Sequence, residues 1–383
     1  MNISDLVKLK LDIDKDAFWS DRPESFCSLP YSTEELDRRL KYDPETKYNV
    51  SGLITSKGYP VEEHGVRTED GFILGVQRIP HGLRNGHIGA RRRPPVLLQH
   101  GLLGASPNWV DNLANQSLGF ILADAGYDVW LGNARGSTYS MKHESLREDE
   151  KEFWYWSWDE MAKYDLPAMI NYILRVTGHK QIYYVGHSQG TVMAFSAFSR
   201  DPELGRKVKM FFALGPVTTV EFITSAVRIL ADTGIYERIV VRWTRRHCGY
   251  SCEHMNASRI PVYVSNMPAG TSIWNMDHWG QMVQSGEFIM YDYGCLGNLR
   301  HYGQIRPPLY HVEKMQVPTA LFWGDRDTLA TPKDIRRLIP KIKNLVYNKR
   351  ITTYGHLDFI WAVDAKEYLY DDMIRLMRAA DDD

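Results

Sequence analysis

Short apolar segments alternate with helix-compatible segments over most of the chain. The first two, 61–67 and 72–79, flank the sequence TEDG at 68–71, whose Asp-Gly step favours the turn of a hairpin. Because strands that alternate with helices form a mainly parallel sheet covered on both faces, the pattern predicts an α/β fold. The remaining predicted strands are 96–98, 127–131, 181–185, 210–214, 319–323 and 346–352.

Two stretches break this alternation. Residues 1–48 are polar with little periodicity, and we expect them to form an N-terminal extension. Residues 217–310 separate two predicted strands and contain helical patterns of their own, which indicates an inserted helical cap or lid. The predicted α/β core therefore consists of 49–216 and 311–383.

One segment of the predicted cap is amphipathic. Apolar residues at 236, 239, 240 and 243 recur with helical spacing, while arginines occupy other directions around the helix. Two interpretations remain open: a lid helix that meets lipid when it opens, or a cap helix packed on the core with a solvated basic face. The aromatic segment 153–158 is also ambiguous, since it could line an acyl pocket, although packing of a helix against the sheet is favoured.

Composition and charge exclude several classes of protein. Hydrophobic residues are 44% and charged residues 24% of the 383, as in folded proteins with a sizeable core, which excludes a disordered or fibrous chain. The net charge of −1 gives no overall attraction to nucleic acid. The longest segment without a charged side chain, 181–199, is interrupted by Gly186 and Gly190, so no transmembrane segment is predicted. The first twenty residues carry seven charged side chains, and no signal peptide is visible there.

Cysteine usage predicts neither a disulfide scaffold nor a metal site. The four cysteines are too few for a scaffold, and no second ligand pair at zinc-finger spacing accompanies the two cysteines four residues apart. A local disulfide or free thiols are the expected alternatives for Cys248 and Cys252, and the pairing of Cys27, Cys248, Cys252 and Cys295 stays open. Glycosylation sequons weakly favour a secretory route, and they lie at Asn2, Asn49, Asn115 and Asn256.

The segment 186–190, GHSQG, lies between a predicted strand and a predicted helix. This is the G-x-S-x-G nucleophile elbow, in which a strained serine exposes its hydroxyl above the sheet. Glycines are needed two residues to either side because a Cβ there would collide with the neighbouring chain. The N-terminus of the following helix favours developing negative charge. The motif therefore predicts Ser188 as a nucleophile.

A serine hydroxyl needs a general base, and the base needs an orienting carboxylate. Hydrolases with this elbow order the three groups as serine, acid and histidine. His356 follows the last predicted strand and is the predicted base. Asp325 and Asp327 compete as the acid after the preceding strand; the spacing favours Asp327, with Asp325 as a turn former. Asp358 follows the histidine too closely to reach its ring from the far side.

The reaction also needs two amide donors for the oxyanion of the tetrahedral intermediate. One is predicted to be the N–H of Gln189, directly after the nucleophile. The other is expected in the loop after the strand 96–98, where Gly101 lets the backbone turn an N–H inward. We assign Leu102 as this donor in preference to Leu103.

Five segments of the chain resemble the acid lipases, the gastric and lysosomal lipase group of α/β hydrolases. The resemblance begins near residue 48, extends to the C-terminal helix, and rests on a highly specific combination of motifs. The matching segments are QHGLL at 99–103, ADAGYDVWLGNARG at 123–136, DEMAKYDLP at 159–167, YVGHSQG at 184–190 and HLDFIWA at 356–362.

The resemblance implies an α/β-hydrolase fold and hydrolysis of triacylglycerols or cholesteryl esters without a metal or cofactor. By position it assigns the same residues as above, with Ser188, Asp327 and His356 as the triad and Leu102 and Gln189 as oxyanion donors. It also implies a lipid–water interface as partner, no nucleic acid, a monomer, and a lysosomal or secreted location. Three of the sequons stand where family members carry them.

Three features depart from the family pattern. The region 217–256 is shorter than the family's lid, and no signal peptide is visible in 1–48. Cys248 matches a family cysteine, but the cysteines that the family pairs with it are missing. Two rival functions stay open: a soluble carboxylesterase or thioesterase, and a catalytically silent lipid-binding protein on the same fold.

Overall fold

The computed structural model describes residues 38, 43–86, 89, 93–220 and 254–382. Within these residues one mixed sheet runs through the molecule in the order β1-β2-β4-β3-β6-β7-β8-β9, with β5 paired to β2. Its strands are β1 (Glu62–Arg67), β2 (Phe72–Ile79), β3 (Pro95–Gln99), β4 (Asp128–Gly132), β5 (Lys142–His143), β6 (Ile182–His187), β7 (Val208–Leu214), β8 (Thr319–Gly324) and β9 (Leu345–Ile351).

The sheet is parallel from β4 onward along its order. Strands β4, β3, β6, β7, β8 and β9 pair in parallel, whereas β1, β2 and β5 form the antiparallel part. Parallel strands need crossover connections, which the helices between them supply. This arrangement confirms the predicted α/β-hydrolase fold with its mostly parallel sheet.

The helices of the described residues lie before, between and after these strands. They are α1 (Val50–Ser56), α2 (Leu118–Asp124), α3 (Trp158–Glu160), α4 (Leu166–Thr177), α5 (Gln189–Arg200), α6 (Pro202–Arg206), α7 (Ile260–Asn266), α8 (Ile273–Ser285), α9 (Gly294–Tyr302), α10 (Pro332–Leu338), α11 (Asp358–Trp361) and α12 (Asp371–Asp382). None of those described has the length and apolar character needed to cross a membrane.

The central strands β3, β4, β6 and β8 are buried on both faces of the sheet, and successive residues of each strand point to opposite sides. On β3, Leu97 belongs to one hydrophobic core, while Val96 and Leu98 belong to the other. The core that contains Leu97 also holds Phe153, Trp156 and Trp158, so these members of the aromatic segment 153–158 pack under the sheet. These central strands therefore read as continuous apolar segments, which is why their positions were predictable from the sequence.

All eight predicted strands appear in the structure, while the two-residue strand β5 was not predicted. Helices α7, α8 and α9 lie between β7 and β8, in the region predicted to be the cap; the bounds 217–310 for a separate cap stay a prediction. The amphipathic segment around 236–243, Cys27, Cys248, Cys252 and most of the N-terminal extension lie outside the described residues. Cys295 is an exposed free thiol. Nδ1 of His254, a histidine near the cysteine pair, lies 2.7 Å from Oδ2 of Asp364.

Candidate active site

The sequence-predicted site residues follow the carboxyl ends of four strands of the parallel region. Ser188 follows β6, Leu102 follows β3, Asp327 follows β8 and His356 follows β9. The carboxyl ends of parallel strands meet at one edge of a sheet, where α/β proteins bind their ligands. The topology therefore directs these residues toward the same edge.

Ser188 has the strained backbone of a nucleophile elbow, with φ +53° and ψ −118° between β6 and α5. The two motif glycines are required by close contacts. A Cβ on Gly186 would lie 2.7 Å from the carbonyl carbon and oxygen of Gly190, and one on Gly190 would lie 2.5 Å from the carbonyl oxygen of Gln99. No side chain fits at such distances, so the packing around the elbow explains both glycines.

Hydrogen bonds hold this strained serine in place. Its N–H donates to the carbonyl of Leu214 at the end of β7 (3.1 Å), and its carbonyl accepts from the N–H of Thr191 (2.8 Å) and from the Thr191 hydroxyl (2.6 Å). The side chain is 8% exposed. The neighbouring strand and the first turn of α5 thus fix the position of the Ser188 backbone.

The predicted base and acid are in direct contact. Nδ1 of His356 lies 2.8 Å from Oδ2 of Asp327, and both side chains are buried. The other carboxylate oxygen, Oδ1, accepts from the N–H groups of Leu329 (2.9 Å) and Ala330 (2.8 Å). Because the carboxylate accepts, Nδ1 carries the proton and leaves a lone pair on Nε2, the form that a general base requires.

Nε2 of His356 is buried and has no hydrogen-bond partner among the described residues. The ring lies against the chain that follows β7, since a Cβ on Gly215 would be 3.2 Å from its Cε1 and Nδ1 and 3.4 Å from Oδ2 of Asp327. The residue before Gly215, Leu214, accepts the hydrogen bond from the Ser188 N–H. The imidazole and the carboxylate therefore lie beside the end of β7, whose last residue holds the Ser188 backbone, but Nε2 makes no hydrogen bond to the Ser188 hydroxyl.

The two rival carboxylates have other partners. Asp325 forms a bidentate ion pair with Arg350, at 2.6 and 2.7 Å. Asp358 accepts from the N–H of Gly355 (2.7 Å) and thereby ties the start of α11 to the loop that carries His356. Burial raises the pKa of Asp358 to about 8. Of the three candidate carboxylates, Asp327 is the one in contact with the imidazole.

The loop after β3 packs directly against the nucleophile. A Cβ on Gly101 would lie 2.8 Å from the Cβ of Ser188, so the backbone approaches the serine as closely as a glycine allows. The Gly101 carbonyl accepts from the N–H of Gly104 (3.1 Å). Leu103 has a φ of +59°, a left-handed conformation that is unusual for a leucine. The loop is therefore a tight turn beside the hydroxyl.

Sequence reasoning missed two histidines that support these loops. His100 Nδ1 lies 2.8 Å from the Gly101 carbonyl, and its Nε2 accepts from the Ala134 N–H at 3.1 Å. His187 Nε2 lies 2.8 Å from the His356 carbonyl. A carbonyl only accepts, so each of these contacts defines a neutral tautomer. Burial agrees with this, because it lowers the pKa of His100 to about 4 and that of His187 to about 3.

The His100 contact has a consequence for the predicted oxyanion donor. The Gly101 carbonyl and the Leu102 N–H belong to one planar trans peptide group, so they point in opposite directions. A bond that fixes the carbonyl therefore also fixes the direction of the N–H. Only the positions of the two histidines in the sequence could have indicated these roles. His100 directly precedes the glycine of one motif, and His187 directly precedes the serine of the other.

Two family models match the chain. A partial α/β-hydrolase lipase region matches residues 50–113, and the α/β-hydrolase fold matches residues 94–245. Among solved structures, the naproxen esterase (carboxylesterase NP) of Bacillus subtilis has a TM-score of 0.53 at 15% identity, covering 86% of this chain and 99% of that one. At this identity the structural likeness supports the fold alone.

Curated relatives are much more similar in sequence. The human lysosomal acid lipase/cholesteryl ester hydrolase is 48% identical, covering 88% of this chain and 92% of the human protein. The human gastric triacylglycerol lipase is 46% identical, covering 87% and 92%. Identity at this level over nearly the whole length, together with the fold and the matching motifs, shows that the chain belongs to the acid lipase family of α/β hydrolases.

Proposed function

We propose that this lipase hydrolyses carboxylic esters of neutral lipids, triacylglycerol or cholesteryl ester, through an acyl-enzyme on Ser188. The observation that carries the proposal is the buried Asp327–His356 hydrogen bond of 2.8 Å beside a strained serine. The names of the two human relatives, a cholesteryl ester hydrolase and a triacylglycerol lipase, support this substrate class.

The proposed reaction has two steps. Nε2 of His356 takes the proton of Ser188 while its Oγ attacks the ester carbonyl, and the N–H groups of Leu102 and Gln189 stabilise the oxyanion. The imidazolium then gives its proton to the leaving alcohol. In the second step His356 removes a proton from water, which attacks the acyl-enzyme and releases the fatty acid. Asp327 holds the ring in the required tautomer and stabilises its cation.

We infer that the protein works at a lipid–water interface, in the lysosome or outside the cell. The names of the relatives support this location, since one is lysosomal and the other gastric. The sequons at Asn49, Asn115 and Asn256 are consistent with a secretory route. Asn115 is exposed, so it is accessible for modification.

Replacement of the nucleophile tests the proposed mechanism. We expect Ser188→Ala to lower kcat on emulsified triacylglycerol by at least about a thousandfold, because the reaction loses its acyl acceptor. The melting temperature serves as the control for folding. Hydrolysis by Ser188→Ala at the wild-type rate would contradict the mechanism.

The soluble carboxylesterase is the main rival, and the physical form of the substrate separates it from a lipase. With a short-chain triacylglycerol, we expect the rate to rise sharply once the concentration passes the solubility limit. Saturation of the rate below that limit would instead support a soluble esterase. A panel of cholesteryl, triacyl and short-chain esters, assayed from pH 4 to 8, then ranks the substrates.

A further inference from the structure

The segment 269–279, between β7 and β8, contacts both sides of the proposed oxyanion hole, at Leu103 and at Gln189. It consists of the loop after α7 and the first two turns of α8. One contact reaches the loop that carries Leu102, and the others reach the side chain of Gln189. These contacts join elements far apart in the chain.

The first contact holds the loop after β3. The N–H of Ala269 donates to the carbonyl of Leu103 at 2.7 Å. The carbonyl of Ala269 in turn accepts from the N–H of Thr138 at 2.8 Å. Leu103 is the residue with the left-handed backbone, a conformation that persists only when surrounding contacts hold it. Ala269 supplies one such contact and is itself fixed to the core.

The second contact holds the side chain of Gln189. Its Oε1 accepts from Nδ2 of Asn275 at 2.8 Å and from Nε1 of Trp279 at 2.7 Å. Asn275 and Trp279 are four residues apart and lie on one face of α8. Gln189 is 2% exposed and Asn275 is fully buried. Both lone pairs of the amide oxygen are thus used by donors from α8.

The start of α8 is itself attached to the core. Ser272 caps the helix by accepting from the N–H of Asn275 (2.9 Å), and its hydroxyl donates to the carbonyl of Trp156 (2.5 Å). Farther along, Nε2 of His278 lies 3.0 Å from the carbonyl of Ile289, and its Nδ1 lies 3.0 Å from the Ser157 hydroxyl. The donors to Gln189 are therefore held on a fixed support.

We propose that Asn275 and Trp279 are positioning residues for the oxyanion hole, an inference that rests on the proposed function. Gln189 is the first residue of α5, and its N–H is one of the two proposed donors. Two hydrogen bonds on its side chain limit rotation of the residue, and so fix the direction of that N–H. Donors to an oxyanion are effective when they are oriented before the reaction, and small displacements are costly. The region between β7 and β8 thus contributes to the orientation of the proposed oxyanion donor.

The test removes one indole N–H and keeps a smaller aromatic ring at the same position. We expect Trp279→Phe to lower kcat about tenfold with little change in KM, because the oxyanion donor is loosened while substrate contacts stay. Trp274→Phe is the matched control: it is the same substitution on the same helix, but Trp274 stacks on Tyr291 at 4.9 Å instead of binding Gln189. We expect this control to keep the wild-type kcat.

A double-mutant cycle separates positioning from simple packing. Gln189→Met removes the acceptor of both hydrogen bonds but keeps the backbone N–H, and we expect a loss of kcat at least as large as that of Trp279→Phe. Because the indole N–H acts only through this acceptor, adding Trp279→Phe to Gln189→Met should lower kcat no further. If Trp279→Phe acted through packing of α8, its effect would persist in that background.

Two results would overturn the inference: wild-type kcat in Trp279→Phe, or multiplication of the two effects in the double variant. Should a variant melt below the assay temperature, the rate of phosphonylation by a fluorophosphonate, measured in the cold, replaces kcat. Ser188→Ala is assayed alongside. An active Ser188→Ala means that the proposed function fails, whereas an inactive one beside an unaffected Trp279→Phe means that only the positioning role fails.

Discussion

Two polar clusters of this molecule differ in how fully their polar atoms are paired. The ion triplet of Arg135, Asp70 and Asp165 pairs one guanidinium with two carboxylates, with contacts of 2.6 to 2.9 Å. The proposed catalytic pair of Asp327 and His356 has a single contact of 2.8 Å, and the second nitrogen of the imidazole has no partner among the described residues.

The difference separates a cluster that stabilises the fold from one that is available for chemistry. A buried charge that loses its partner is strongly destabilising, so the ion triplet is expected to be essential for folding. A buried imidazole nitrogen with a free lone pair has an unfavourable environment, and such groups are common at functional sites. Substitutions in the two clusters should therefore affect different measured quantities.

The largest effect is expected from the catalytic pair. Asp327→Asn should lower kcat about ten-thousandfold, because an amide in place of the carboxylate no longer selects the Nδ1–H tautomer or stabilises the imidazolium. The melting temperature should change little. Asp325→Asn, two residues away, is the control, since Asp325 pairs with Arg350, and we expect its kcat to stay within about twofold of wild type. Equal losses in the two variants would mean that the acid is misassigned.

Substitution in the ion triplet should lower stability strongly and leave the activity of the folded protein nearly unchanged. Arg135→Met leaves Asp165 buried without its cation, and we expect the free energy of unfolding to fall by about 3 to 5 kcal/mol in urea titrations. Activity should decline only in proportion to the loss of folded protein. Arg135→Lys keeps the charge but not the forked geometry and should be intermediate. A fully stable Arg135→Met variant that lacks activity would contradict the assignment of the ion triplet to stability.

A smaller effect on stability is expected from pH, which changes the protonation of buried carboxyl and imidazole groups outside the ion triplet. Burial raises the pKa of Asp111 and of Asp358 to about 8, so the native state holds protons that the unfolded state releases near pH 4. Stability from these carboxyls is present at low pH and is lost as pH rises toward 8, by up to about 1.4 kcal/mol per pH unit for each group.

The buried histidines act in the opposite direction. Burial lowers the pKa of His100, His187 and His278 to between about 3 and 4, so their stabilising effect is lost as pH falls below about 6.5. Below pH 6 these three histidines are balanced by three carboxyls, Asp111, Asp358 and Asp159, since burial raises the pKa of Asp159 to about 6. We therefore expect the urea midpoint to be nearly constant from pH 4.5 to 6 and to fall between pH 6.5 and 8. Asp358→Asn should make that fall shallower, and an unchanged slope would contradict the account.

The strands and the motifs of the site were predictable from the sequence because both are local patterns. Buried parallel strands read as apolar segments, and the elbow at Ser188 is recorded in its two glycines. The two-residue strand β5 was missed because Lys142 and His143 have no apolar pattern, and its pairing depends on β2. The choice of Asp327 over Asp325 followed from spacing, and the contact with His356 now supports it.

The supporting contacts were beyond local reasoning. Gln189 and Asn275 are 86 residues apart, and nothing near either one indicates that they share a hydrogen bond. The roles of His100 and His187 likewise depend on which carbonyl lies opposite each ring after folding. Motifs locate the reacting groups, whereas the groups that orient them are determined by tertiary packing.

Covalent labelling tests whether Ser188 is an activated nucleophile beside His356. The folded protein is treated with a fluorophosphonate, and the modified peptide is identified by mass spectrometry. We expect one adduct, on Ser188, that forms far more slowly in His356→Ala. A folded sample that forms no adduct, or one that is labelled on another residue while Ser188 stays unmodified, would contradict it.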